Sequence, residues 1–246
     1  MLHLAHKIRG ATVHAVDGDI GTLEDFYFEE DHWVVRYLLV DTSSWMNGKK
    51  VLVSPMSVAG EWNLATIPVR LSRDQVQNSP TFDPGDTLSR EAETKVLGYY
   101  GYPFYWGNDG VWGTFDNPGA LLTAPPHDIS VDQTQPHGVD PESQHLRSVN
   151  KSTGYHLQAI DGDIGHVDDF LIGEESWRIR YLLVDTSNWI GGRSVLVSSD
   201  ALDGVDREHE KLRVAVTRDV IKQGPAFESI EAALDTRETG PPFTFV

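Results

Sequence analysis

Carboxylates in close sets are the first residues in this chain with the types and spacing for chemistry. Asp17 and Asp19 flank a glycine, Glu24 and Asp25 follow, and the set returns as Asp161, Asp163, Asp168 and Asp169. A D-x-D pair with further acidic groups nearby offers the oxygen ligands that Ca²⁺ takes. An EF-hand loop, however, needs five or six ligands on a fixed twelve-residue spacing, which is not met. The pattern therefore favours structural turns over a weak cation site. Arg36 and Arg180 occupy matching places and could serve as anion ligands, but pairing with a neighbouring carboxylate such as Asp41 or Asp185 is the simpler expectation.

The 10 histidines are scattered, and only His3 and His6 share an i, i+3 spacing. The sequence has no H-E-x-x-H or H-x-H ligand pattern, no G-x-S-x-G, no P-loop and no G-x-G-x-x-G, so the common zinc, hydrolase and nucleotide signatures are missing. No acid, base and nucleophile fall within reach of one another. The expectation is a chain with no catalytic residues, no bound metal and no cofactor.

Composition narrows the partners. The formal net charge is −17 and there is no cysteine. Such an acidic excess argues against nucleic acid, whose affinity rests on Lys and Arg neutralising phosphates, and against an anionic bilayer surface. Met1 to Gly10 lacks the apolar run of a signal peptide, and no window approaches the ~20 apolar residues of a membrane span. These features read as a cytoplasmic, soluble, acidic protein.

The elements that must position these residues come from a duplication. Asp17-Gly18-Asp19-Ile20-Gly21, Trp33, Arg36 to Ser43, Trp45, Gly48 and Val51 to Ser54 reappear as Asp161 to Gly165, Trp177, Arg180 to Ser187, Trp189, Gly192 and Val195 to Ser198. More than half of the positions from Gly10 to Ser54 match their partners without insertion or deletion, the mark of a repeated structural unit. Asp-Gly between apolar runs predicts a hairpin. In the strand Ile20–Phe28, Phe26 and Phe28 keep phase with Ile20 but Leu23 does not, which predicts a bulge near Thr22–Leu23. In the strand Trp33–Asp41, Val35, Tyr37 and Leu39 form one face; Val34, Arg36, Leu38 and Val40 form the other. A strand apolar on both faces is covered on both, so Leu38, Val40, Leu182 and Val184 are expected to meet another surface. Pro68 lacks an N–H, so the strand around Ile67–Leu71 is expected at an edge or with its proline at an unpaired position. Ser72 and Thr217 are candidate N-caps of a single helical turn.

The ordered set of D-G-D-I-G turn, hydrophobic strand ending in V-D, W-x-x-G turn and V-L-V-S, present twice, resembles the PRC-barrel family. That family includes the cytoplasmic domain of the photosynthetic reaction-centre H subunit and the C-terminal domain of a ribosome-maturation factor. The resemblance implies a mainly β protein of two tandem small antiparallel barrels, each followed by a short helix and an aromatic tail. It also implies an assembly role, because both relatives use the barrel for assembly. This chain departs from them in lacking the H subunit's membrane helix and the maturation factor's preceding barrel.

The expected organisation is a first barrel over 1–82, a helix and aromatic segment over 83–115, a Pro-rich linker over 116–145, a second barrel over 146–227 and a helix and tail over 228–246. In the second segment, Ser89 is the expected N-cap and Gly98 the expected C-terminal glycine of a helix. Tyr99, Tyr100, Tyr102, Phe104, Tyr105 and Trp106 follow, and fit either a cover over a barrel or a stacking platform for a partner or ligand. Trp45 and Trp189 are expected to be mostly buried at one end of each barrel.

The leading expectation is a non-enzymatic adaptor binding a protein partner or a membrane protein complex, its two barrels packed as an intramolecular pseudo-dimer. The alternative is a small-molecule binder or enzyme with a pocket between the barrels under Tyr99–Trp106.

Overall fold

The computed structural model describes residues 1–46, 48–83, 88–106, 110–123, 146–186, 193–224 and 226–230. Most of the expected linker, Trp189, Gly192 and most of the expected C-terminal helix and tail lie outside the described residues.

The chain begins with β1 (Leu2–Leu4), the turn α1 (Ala5–Ile8), β2 (Thr12–Ala15), β3 (Gly18–Glu29), β4 (Val34–Asp41), β5 (Lys50–Val53) and β6 (Thr66–Pro68). Three helices follow: α2 (Arg73–Asn78), α3 (Arg90–Tyr100) and α4 (Pro118–Thr123). The series then repeats as β7 (Leu146–Ser148), α5 (Val149–Ser152), β8 (His156–Ala159), β9 (Gly162–Gly173), β10 (Ile179–Asp185) and β11 (Ser194–Ser198). It closes with β12 (Leu202–Asp206), β13 (Lys211–Val214) and α6 (Arg218–Gln223).

These elements form two compact units. The first holds Lys7–Ser148 with Glu174–Trp177; the second holds Met1–His6, Val149–Gly173 and Arg178–Val246. In the first unit the strand order is β5-β4-β3-β2-β6, with β7 paired to β3. In the second it is β11-β10-β9-β8-β13-β12, with β1 paired to β9. The protein is mainly β, as expected, but closed, wholly antiparallel barrels are not what forms. Both sheets stay open, and each contains a parallel pair, β2 with β6 and β8 with β13. The reason is strand length and direction. The three-residue β6 re-enters parallel to β2 and ends at Pro68, which has no N–H to extend a ladder. On the other edge, among the described residues, β5 meets the returning chain at an isolated bridge, Val51 with Thr81, where the Phe82 N–H donates to the Lys50 carbonyl at 3.0 Å.

The boundaries of the units also differ from those of the repeats. β1 lies on β9 and β7 lies on β3 in the same register, Leu2 opposite Gly173 and Leu146 opposite Glu29. Each long strand thus has one edge shared by two short partners. β3 pairs with β2 over Gly18–Thr22 and with β7 over Tyr27–Glu29.

Local features follow from residue type. Gly21 stands where a Cβ would lie 2.0 Å from the Asp41 carbonyl oxygen, and Gly165 meets Asp185 in the same way, so neither position admits a side chain. The β3–β4 ladder shifts register between Leu23 and Asp25, next to the Thr22–Leu23 position where a bulge was expected. Trp33 and Trp177, which precede β4 and β10, both have positive φ (54° and 60°). That is unusual for a bulky side chain, and ring packing holds it. Trp33 stacks on Phe28 with centroids 5.1 Å apart, and Trp177 stacks on Trp62 at 4.8 Å.

Two sequence expectations need correction. The helix around Glu91 starts at the N-cap Ser89 but passes through Gly98 and ends at Gly101, which takes the left-handed conformation (φ 69°). Trp45 is half-buried rather than mostly buried. Its indole N–H donates to the Ile20 carbonyl at 2.8 Å and its ring lies under the Arg73 guanidinium at 4.5 Å.

Candidate functional site

In the first unit, buried charges and aromatic rings gather around Arg36. β4 is covered on both faces, so the one long polar side chain in its middle is sealed in at 2% exposure. Its guanidinium donates from Nε (3.1 Å) and Nη2 (2.5 Å) to one oxygen of Glu29, and from Nη1 to the Val111 carbonyl at 2.6 Å. The Tyr105 ring covers it at 3.8 Å and the Trp112 ring at 4.6 Å. Arg36 therefore pairs with a carboxylate, as expected, but the partner is Glu29 across the β3–β4 hairpin and not Asp41. Asp41 instead accepts from the Ser43 backbone N–H at 2.8 Å.

A second ion pair sits beside the first. Arg90 lies 3.1 Å from Glu93, one helical turn along α3, and also donates to the Tyr105 hydroxyl at 3.1 Å. The Tyr105 hydroxyl in turn donates to Glu93, and the Arg90 guanidinium lies 4.1 Å from the Trp106 ring. Arg90 and Glu93 are both buried. A buried ion pair needs this degree of hydrogen bonding to offset the desolvation of its charges.

The titration of these groups follows from that arrangement. Burial would raise the Glu29 carboxyl, but the Arg36 charge and the hydrogen bonds from His32 and Arg36 outweigh it and hold the pKa at about 2. The hydrogen bond to Glu29 raises His32 against its partial burial. Burial first, then the charge of Glu93, push the Tyr37 and Tyr105 phenols well above their ordinary value. Glu29 is thus a permanent anion at neutral pH, and Tyr37 and Tyr105 are neutral. The arrangement holds charge in place; its phenols do not ionise in the range where a general base works.

The aromatic segment packs on its own unit. Tyr105 is buried, while Tyr100, Tyr102, Phe104 and Trp106 are half-buried and Tyr99 is exposed at 40%. Tyr99 donates its hydroxyl to the Gln75 carbonyl at 2.8 Å, and Tyr102 shares a hydrogen bond with Ser57 at 2.9 Å. Tyr100 stacks on Tyr102, and Phe104 on Trp106. The indole of Trp112 donates to the Ser176 carbonyl at 2.8 Å, which ties the short Glu174–Trp177 segment into the same unit. Leu38, Val40, Leu182 and Val184 are all fully buried. Leu38 and Val40 belong to the first unit, Leu182 and Val184 to the second.

Sequence reasoning missed Glu29, Arg90, Glu93 and Trp112. A signal for the first was present: Glu29 corresponds to Gly173 in the other copy, where Arg180 is exposed. The buried pair exists only where both partners do.

The acidic turns are structural joints. Asp17 accepts the Arg73 backbone N–H at 2.8 Å, and Asp161 accepts that of Arg218 at 2.8 Å, so each hairpin caps the helical turn that follows its sheet. Beside them, Val16 and Ile160 hold the same place in the two repeats and are 72% and 70% exposed. Among the described residues, no group of three or more His, Asp or Glu is arranged to hold a metal ion, and no helix is long and apolar enough to cross a membrane.

None of the curated proteins matches the chain. The model of the PRC-barrel domain matches residues 155–221, the stretch from just before β8 into α6.

Proposed function

We propose that this chain is a non-enzymatic adaptor in which both repeats are PRC-barrel domains, and that it binds a protein partner or a membrane protein complex through the tips of its two D-G hairpins. The PRC-barrel match of residues 155–221 supports the domain type, and the internal repeat extends that reading to the first copy. The observation that carries the binding role is the matched exposure of Val16 and Ile160. An aliphatic side chain held in water at the same point of two repeats, on a tip braced by Asp17 or Asp161, is a ready contact. Burying one such side chain contributes about 2 kcal/mol.

The small-molecule alternative needs the rings of Tyr99–Trp106 to be free for a ligand. Tyr105 is committed to Arg36 and Glu93, and the hydroxyls of Tyr99 and Tyr102 are engaged by Gln75 and Ser57. That engagement favours the adaptor, with the segment as a cover.

A photo-crosslinking residue at position 16, and separately at position 160, tests the reading in the native cell with membranes retained. Both positions should trap the same polypeptide, distinct from this chain. Val16→Asp with Ile160→Asp should weaken its binding by about 30-fold while leaving the melting temperature unchanged. Trapping at neither position, or unchanged affinity in the double variant, would sink the proposal.

A further inference from the structure

One surface row differs between the two repeats, and every difference has the same chemical direction. In the second unit, His156 on β8 stands opposite His166 on β9, and His166 stands opposite Asp185 on β10. Directly paired residues of an antiparallel ladder project to the same face of the sheet. Their neighbours Leu157, Val167 and Val184 are buried, which marks the opposite face as the core side. His156 is exposed and His166 and Asp185 are half-buried, so the three form a row on the outer face. Asp168 follows on β9 and is exposed as well.

The first repeat carries Thr12, Thr22 and Asp41 in this row, in the same pairing. There Lys50 stands opposite Asp41 and binds Glu24 at 2.6 Å. In the second repeat Ser194 stands opposite Asp185 in place of that lysine, and Asp168 replaces Glu24. Relative to the first row, the second therefore loses an ammonium group, keeps two carboxylates and gains two imidazoles. Lys211, opposite His156 on β13, is turned towards Asp163 at 3.3 Å. Two imidazoles with a carboxylate make a ligand set suited to Zn²⁺ and related first-row dications.

Two of the three donors are already in place. His166 Nε2 lies 3.6 Å from Asp185 Oδ2, close to the roughly 3.3 Å that separates two ligands of one tetrahedral zinc. The His156 ring is exposed, and exposed side chains change rotamer within nanoseconds, so the third donor closes on the ion without movement of the backbone. We propose that His156, His166 and Asp185 bind one divalent transition-metal ion of the zinc type, with water as the fourth ligand and Asp168 adding attraction for the cation. The site belongs to the second repeat alone.

The test uses the full chain, purified without a polyhistidine tag, stripped with chelator and titrated calorimetrically with Zn²⁺ at neutral pH. One equivalent should bind, with a Kd raised at least about ten-fold by His156→Gln and by His166→Gln. Ser194→Lys, which restores the cation of the first repeat, should raise it at least about five-fold. His14→Gln, at an exposed His–Asp pair of the first unit, should leave it unchanged. Zn²⁺ should also raise the melting temperature of the parent beyond Mg²⁺ at equal ionic strength, and His156→Gln should abolish that difference. Melting in chelator checks that each variant folds as the parent does; if a histidine variant does not, Ser194→Lys decides. The proposal is overturned if the parent binds no Zn²⁺, if both histidine variants bind it as tightly as the parent, or if the strongest equivalent is lost in His14→Gln instead.

Discussion

At the scale of single residues, the two copies of one arginine make a controlled comparison. Arg36 is buried against Glu29 under two aromatic rings, while Arg180 is exposed in a copy that has glycine at the corresponding acidic position. Removing one member of a buried pair leaves the other charge uncompensated, so Arg36→Ala should destabilise by about 3–5 kcal/mol in urea unfolding. Arg180→Ala should fall within about 0.5 kcal/mol of the parent. The same cluster sets an acid response. The Glu29 pKa is depressed to about 2, so its contribution is fully present above the ordinary carboxylate value and is lost as pH falls from about 4.5 through 2. The stability gap between the parent and Glu29→Gln, on the order of 3 kcal/mol at neutral pH, should close across that window. A gap independent of pH there would mean that Glu29 is not held ionised by Arg36. His32 runs the other way. Its raised pKa contributes stability that is complete below about 6.5 and declines as pH rises through the folded value. His32→Asn should therefore flatten the alkaline side of the profile.

At the scale of elements, the D-G-D-I-G strand owes its last glycine to a neighbour and not to a turn. Adding a methyl at Gly21 or Gly165 places it on the backbone of the residue that ends β4 or β10. Gly21→Ala should cost about 3 kcal/mol, combining overpacking with a strained backbone. Gly10 also has a positive φ (86°) but faces open space, so Gly10→Ala should cost only about 1–2 kcal/mol. Equal losses at Gly10 and Gly21 in chemical denaturation would show that backbone strain alone explains both. The helical turns behave as braces of the hairpins. Ser72 and Gln75 form a reciprocal capping box at the start of α2, whereas Thr217 makes no side-chain cap, and there the Asp161 carboxylate accepts the Arg218 N–H. The sequence marked both residues as caps; only one acts through its own side chain.

At the scale of the whole molecule, neither compact unit is a continuous stretch of chain. The first six residues complete the second unit, and Leu146–Ser148 with Glu174–Trp177 complete the first. Deleting residues 1–6 should therefore act far along the chain. Amide hydrogen exchange should accelerate at least about ten-fold over Leu171–Gly173 and stay unchanged over Tyr27–Glu29. Acceleration at Tyr27–Glu29 instead would place β1 on its own repeat.

The sequence by itself determined what depends on near neighbours. Period-two alternation, Asp-Gly turns, the out-of-phase Leu23 and the serine caps Ser72 and Ser89 each rest on a few adjacent residues, and all of them hold. Gly98 misled because any glycine near a helix end resembles a stop, and the structure extends the helix by three residues before Gly101 turns left-handed. The partner of Arg36 could not be read from spacing, since Glu29 and Asp41 are both close in sequence and only hairpin register brings one of them alongside. The strand exchange was further from reach. Two copies of one sequence present two slots with the same backbone ladder, so local pattern assigns each strand to its own repeat by default. In the structure the Ser148 hydroxyl meets the buried Asp25, and His6 meets the buried Asp169. Those contacts exist only once residues more than a hundred positions apart in sequence lie side by side.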